Sequence, residues 1–230
     1  MNTRISAPDL ATGTTVYAFD GLVRLCHWVY VLCIFTLIFT GFLIASPLPS
    51  VDGEASDHFV MGYIAFTHFT AGQILSVAFL LRVYAAIVGN PQSREVFVLP
   101  LLNRDWWLGM WKVIRCYLFI DKHEPKSIGH NPLAQVFMFL FSSVFVVFQL
   151  VTGFALFGEI RGQGSWFDRL FGWVIPLFGG SQAVHSWHHL GMWVIICFVT
   201  VHLYMITREE IMSRQSIYSS MISGFRSYHD

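Results

Sequence analysis

The sequence predicts an all-α integral membrane protein: a four-helix bundle with both termini on the cytoplasmic side. Three observations predict it. Apolar residues are 55% of the 230 and charged residues only 12%, about half the ~25% charge of an ordinary soluble domain. Four stretches are apolar over the ~20 residues that a bilayer crossing requires, and mean hydropathy is +0.57. Lysine and arginine collect in alternate connections, which orients the spans. The zero net charge gives no electrostatic footprint for nucleic acid.

The elements follow in order. Residues 1–20 have no apolar core, so they are not read as a signal peptide. The spans run from about Leu25 to Ala45, Gly62 to Val88, Pro132 to Phe157 and His185 to Thr207. Between the second and third, Trp106 to Ile120 alternates aromatics with Lys112 and Arg115. That pattern reads as an interfacial amphipathic helix, the alternative being a loop with a short buried helix. No internal repeat is apparent, and residues 1–230 read as a single membrane domain with short tails.

Arg4 and Arg24 lie in the N-terminal segment. Arg94, Arg104, Lys112, Arg115, Lys122 and Lys126 lie in the second connection, and Arg208, Arg214 and Arg226 in the C-terminal tail. The first connection, Ser46 to Met61, has no Lys or Arg, and the third has only Arg161 and Arg169. Both termini are therefore expected in the cytoplasm and the first and third connections outside. Cys26, Cys33, Cys116 and Cys197 fall in spans or on the cytoplasmic side, so no structural disulfide is expected. There is no C-x-x-C-H, the signature of covalent haem attachment.

Ionisable residues inside a span are costly and usually functional, which draws attention to four histidines. His188 and His202 stand fourteen residues apart on one apolar helix. At ~100° and ~1.5 Å per residue they face the same way, ~40° apart, with ~21 Å between them along the axis. Chain direction places His27 and His202 near the cytoplasmic face and His68 and His188 near the outer one. Two pairs at matched depths are what two haems need, each held by imidazoles from different helices. In HSWHH, His188 is the first choice for the outer ligand and His185 the runner-up, because His185 is ~100° and His189 ~140° from the His202 face. His189 is expected to point to headgroups or a neighbouring helix. His58, His123, His130 and His229 lie in connections or the tail.

Gly41, Gly72 and Gly191 are placed to admit a porphyrin plane between helices. Arg82, fourteen residues after His68, is the one charge well inside a span. It is expected either to pair with an inner-haem propionate or to snorkel. HSWHH also admits a zinc-enzyme reading, but zinc hydrolysis needs a carboxylate base nearby. None occurs between Asp168 and Glu209. A purely structural anchor or transporter would leave the depth-matched histidines unexplained.

Several segments then carry a resemblance: RLCHW (Arg24 to Trp28), PLPSVDGEA (Pro47 to Ala55), MGYIAFTHF (Met61 to Phe69) and VGNPQSRE (Val88 to Glu95). They continue as IGHNPLAQ (Ile128 to Gln135), TGFALF (Thr152 to Phe157) and HSWHHLGMW (His185 to Trp193). In this order they resemble the b-type cytochrome subunit of membrane-bound nickel–iron uptake hydrogenases, over nearly the whole chain. The di-haem arrangement is also similar to that of formate dehydrogenase membrane subunits, which is the alternative reading. The resemblance implies two non-covalent haem b groups with His27, His68, His188 and His202 as ligands. It implies an inner-membrane subunit docked to a periplasmic hydrogenase. The small subunit of that partner brings an iron–sulfur cluster and an anchoring helix, and the large subunit completes it. Electrons would pass from H2 through the outer and then the inner haem to a quinone. The chain would then be the electron-transfer subunit of a hydrogen:quinone oxidoreductase, with no H2 chemistry of its own, since its cysteines show no metal-ligand pattern. A quinone site needs an apolar cleft with a proton donor or acceptor near the inner haem. Arg94 and Glu95, with His130 and Asn131, are the candidates, each with a helix cap or surface charge as its alternative role.

Overall fold

The structure, a computed structural model, describes residues 13–49, 53–54, 58–121, 127, 129–213 and 215–228. Arg4, Lys122, Lys126 and Arg214 of the charge pattern lie outside the described residues. So do His123 and His229, and parts of PLPSVDGEA and IGHNPLAQ. Four helices are long and apolar enough to cross a membrane: α1 (Gly21–Ala45), α2 (Val60–Val88), the third span Pro132–Arg161 and a final long helix introduced below.

Each boundary has a local cause. Pro47 and Pro49 follow α1 and stop it. After α2, Asn90 caps the short α3 (Pro91–Arg94), its side chain accepting from Ser93 N. Arg94 turns back to donate to the Ala86 and Ile87 carbonyls, closing the last turn of α2. The sequence Trp106 to Ile120 contains a genuine helix, α4 (Arg104–Tyr117), capped by Asn103. Trp106, Val113 and Cys116 are buried, and Trp107, Leu108 and Trp111 are exposed.

The third span is not the continuous α-helix expected. It runs as α5 (Pro132–Met138), a π-helical segment Phe139–Phe145 and α6 (Val146–Arg161). Within the π segment the Ser143 hydroxyl donates to Val96 O at 3.2 Å. The connection beyond α6 is also built rather than loose. α7 (Trp166–Phe171) is capped by Ser165 and α8 (Val174–Leu177) follows. α7 lies so close to α6 that a Cβ on Gly158 would stand 2.9 Å from Asp168 N. Gly179 and Gly180, both at positive φ, turn the chain into α9 (Ser181–Ser213). Because α9 begins at Ser181, His188 sits two turns inside it rather than at its start.

The two short tails pair with each other, which the sequence reading did not foresee. β1 (Thr15–Tyr17) pairs antiparallel with β2 (Phe225–Ser227), Val16 opposite Arg226, after α10 (Ile217–Ser223). Three-residue strands carry no readable periodicity, so a pairing across some 210 residues leaves no trace in the sequence.

The chain forms two compact units. One comprises residues 1–27, 81–144 and 199–230, with a core of Ala18, Phe19, Val23 and Ala85. In it Asp20 Oδ2 accepts from Asn90 N at 2.8 Å and Asn90 Nδ2 donates to Ala18 O at 2.9 Å, tying the start of α1 to the end of α2. The other comprises residues 28–80 and 145–198. There Cys33 of α1, Leu75 of α2 and Val146 of α6 form one core, and Ala155, Val174 and Val184 another.

Candidate functional site

The second unit encloses a cavity of about 580 Å³ lined from α1, α2, α6 and α9, within the ~300–1,000 Å³ of small-molecule and cofactor sites. Most of its wall is aliphatic and aromatic. His68 and His188 enter it from different helices, their ring centroids 6.4 Å apart and their planes inclined at 71°.

Each ring is held from behind. Thr40 Oγ1 lies 2.8 Å from His68 Nδ1, and Thr152 Oγ1 lies 2.8 Å from His188 Nδ1. Both threonines are nearly fully buried. With Nδ1 engaged, Nε2 is the nitrogen left to face a ligand. Gly41, Gly72 and Gly153 border the cavity. A Cβ on Gly41 would meet Met192 Sδ at 3.2 Å and His68 Cε1 at 3.6 Å, and one on Gly153 would meet His188 Cε1 at 3.1 Å. Gly72 faces open space. Gly191 departs from expectation: a Cβ there would strike the Gln149 side chain of α6, so its small size serves helix contact.

The other members of HSWHH occupy different positions. His185 borders the cavity but is exposed, with Nδ1 3.0 Å from Ser181 O of its own helix. His189 Nε2 accepts from Trp193 Nε1 at 3.2 Å, and its ring meets Phe42 of α1 edge-on at 6.4 Å, so it faces a neighbouring helix.

The first unit brings together His27 of α1 and His202 of α9, within electrostatic reach of one another and of His130. Arg82 is buried, 8% exposed. It donates from Nη1 to Ser93 O at 2.8 Å and lies over the Phe97 ring at 5.2 Å, so it does not snorkel. Glu95 Oε2 accepts from His130 N at 2.7 Å and lies 3.2 Å from His130 Nδ1. Arg94 and Asn131 have cap roles instead: Arg94 on α2 as described, and Asn131 on α5, where it accepts from Ala134 N at 2.8 Å.

Among the described residues no three His, Cys, Asp or Glu side chains converge as a protein-only metal site. The His68–His188 pair offers two imidazole donors and no further protein ligand beside them. That donor set, in a largely apolar cavity with glycines against both rings, fits an iron that brings its own macrocycle.

Comparison with known proteins gives the family. Residues 18–224 match the family model described as prokaryotic cytochrome b561. The chain belongs to the prokaryotic cytochrome b561 family. It is 54% identical over 217 residues to a protein of Azotobacter chroococcum mcd 1, covering 94% of this chain and 90% of that one. Identity is 53% over 216 residues with one from Bradyrhizobium diazoefficiens, covering 94% and 87%. Both relatives bear the name probable Ni/Fe-hydrogenase B-type cytochrome subunit. A relative from Escherichia coli K12, named probable Ni/Fe-hydrogenase 1 B-type cytochrome subunit, is 47% identical over 216 residues, 92% and 91% of the two chains.

The cytochrome is thus a multi-pass membrane protein of b type, which implies haem b. Thr40 escaped the sequence reading, and Thr152 and Gly153 entered it only within TGFALF without a role, yet a signal for them exists. Thr-Gly-Phe occurs at residues 40–42 and again at residues 152–154, a short repeat set on two spans that both face the cavity.

Proposed function

We propose that this cytochrome anchors a periplasmic [NiFe] hydrogenase in the bacterial inner membrane and relays electrons from its iron–sulfur cluster through two b haems to the quinone pool. The observation that carries the reading is the pair of opposed imidazoles, each backed at Nδ1, in an apolar cavity of a chain about half identical to hydrogenase cytochrome subunits. Haem b, when bound, supplies reversible one-electron chemistry.

The chain's own residues do the rest. His68 and His188 hold the outer haem, and His27 and His202 the inner one. Two imidazoles at each iron leave no open position for H2 or O2, so bond chemistry on hydrogen belongs to the partner. Glu95 and His130 form a hydrogen-bonded acid–base couple able to hold and pass protons, which quinone reduction consumes together with electrons. Every described Lys and Arg except Arg161 and Arg169 belongs to residues 1–27, 81–144 or 199–230. This supports cytoplasmic termini and a cytoplasmic second connection. Exposed Trp107, Leu108 and Trp111 beside Lys112 give α4 the composition of an interfacial helix.

Arg82 supplies a buried positive charge beside the inner haem, where it partners a propionate. Arg82→Gln retains a donor for Ser93 O and removes the charge. It is expected to lower the inner haem's midpoint potential by about tens of millivolts, because a nearby cation favours the reduced centre. An unchanged potential in a redox titration would reduce Arg82 to a structural tie.

The function is tested by anaerobic visible spectra of membranes carrying the cytochrome and its hydrogenase. A b-type α-band should rise on adding H2, and this H2-driven rise should be lost in His68→Ala. A band that appears with dithionite but not with H2 would keep the cytochrome and transfer it to another dehydrogenase, such as one acting on formate.

A further inference from the structure

The two Thr-Gly-Phe segments share more than sequence. In each, the threonine hydroxyl meets Nδ1 of a histidine on another long helix at the same 2.8 Å. Each hydroxyl also meets the carbonyl four residues back, Thr40 Oγ1 to Thr36 O at 2.6 Å and Thr152 Oγ1 to Phe148 O at 2.8 Å. A hydroxyl has one proton and a carbonyl has none. Two oxygens at these distances attract only with a proton between them, so the hydroxyl proton points along its own helix. The threonine oxygen is then an acceptor toward imidazole, and Nδ1 must carry the ring proton. Nε2 is left bare, its lone pair directed away from the threonine.

The glycine that follows each threonine completes the device. A side chain at Gly153 would press on His188 Cε1 at 3.1 Å, and one at Gly41 would contact His68 Cε1 at 3.6 Å. Threonine fixes the tautomer and orientation, and glycine lets the ring lie against the helix. The arrangement is built twice, α1 serving the ligand on α2 and α6 serving the ligand on α9.

We propose that Thr40 and Thr152 are positioning residues that lock His68 and His188 as Nδ1–H tautomers, so that both present Nε2 to the outer haem iron. The proposal rests on the reading of these histidines as haem ligands. An acceptor on Nδ1–H raises the basicity of the ligating nitrogen, which favours the ferric state. Loss of such a partner typically weakens metal binding by about 10–100-fold.

The experiment uses membranes containing the whole complex, with Thr40→Val and Thr152→Val, which keep volume and remove the hydroxyl. Haem retention, the low-spin ferric EPR signal and the outer midpoint potential are read. Haem affinity is expected to fall by about tenfold or more in each variant, and the EPR signal to shift. The potential is expected to rise, by about 59 mV if a tenfold loss falls wholly on the ferric state. Thr40→Ser and Thr152→Ser should restore all three readouts. Thr36→Val, whose hydroxyl serves only Leu32 O of its own helix, should change none.

Valine variants with native EPR and potential would overturn the proposal. If a valine variant fails to assemble, its serine counterpart decides: a serine chain without haem assigns the threonine to packing through its methyl group and overturns the tautomer lock. His68→Ala and His188→Ala separate the two levels. Retained outer haem in these variants sinks the ligand assignment itself, whereas lost haem beside silent valine variants sinks only the positioning role.

Discussion

Replacing His188 with alanine is expected to remove the outer haem and stop electron entry. The imidazole faces His68 across the cavity, and the two neighbouring histidines are otherwise engaged. His185 is exposed and its Nδ1 is engaged by Ser181 O. His189 accepts from Trp193 and packs on Phe42. Haem content should fall from two to one per chain. H2-driven reduction of the remaining haem should drop by more than the about 100-fold that loss of a merely supporting group costs. His185→Ala and His189→Ala should keep both haems. Pyridine haemochrome counts on the purified complex check this. Two haems in His188→Ala with one in His185→Ala would move the ligand three residues along the helix.

Arg226→Ala is expected to be the most damaging change away from the cavity. Arg226 is 3% exposed. It donates from Nη1 to Gly129 O at 2.6 Å and places Nη2 3.6 Å from the largely buried Glu209 carboxylate, whose side chain is 13% exposed. Its strand, β2, joins the C-terminal tail to β1. Removing one partner of a buried ion pair costs about 3–5 kcal/mol, because the other charge stays behind in low dielectric. The double change Arg226→Met with Glu209→Gln removes both charges and should recover most of that loss. Thermal unfolding in detergent, followed by limited proteolysis of the tail, reads the effect. Equal destabilisation in the single and double variants would assign the role of Arg226 to the Gly129 carbonyl rather than to Glu209.

Much of the architecture was legible because lipid imposes strong rules. A spanning helix must satisfy its own backbone and show an apolar surface, so α1, α2 and α9 announce themselves within a few residues of their ends. The four histidines stood out because ionisable groups in such segments are rare. Helical periodicity alone ranked His188 above His185 and His189, and in the structure His188 is the one that faces His68. Gly41 and Gly72 were readable in the same way, from their distance to a histidine on a helix.

Other features depended on atoms that sequence distance does not predict. The π segment at Phe139–Phe145 answers to a local change in hydrogen bonding around Ser142 and Ser143 that hydropathy over a whole span does not record. Sequence position left Arg82 between a propionate and snorkelling, and its burial against the Ser93 carbonyl and the Phe97 ring could not be read there. Arg94 and Asn131 each had a helix cap as one of two roles in sequence, and their bonds to helix ends appear only in the structure. Glu95 and His130, thirty-five positions apart, meet only because the turn at Gly129 passes against the Glu95 carboxylate.

By itself, then, the sequence determined the membrane class, the four spans and the four candidate ligands, because burial in lipid is decided by composition over ~20 residues. Tertiary structure alone decided that Nδ1 of His68 and of His188 meets a threonine hydroxyl on a neighbouring helix. It also decided that the two tails pair as strands and that Arg226 reaches Glu209. Hydrogen-bond direction and ion pairing are set by approaches of a few ångströms between segments far apart in the chain, and no periodicity within one segment records them.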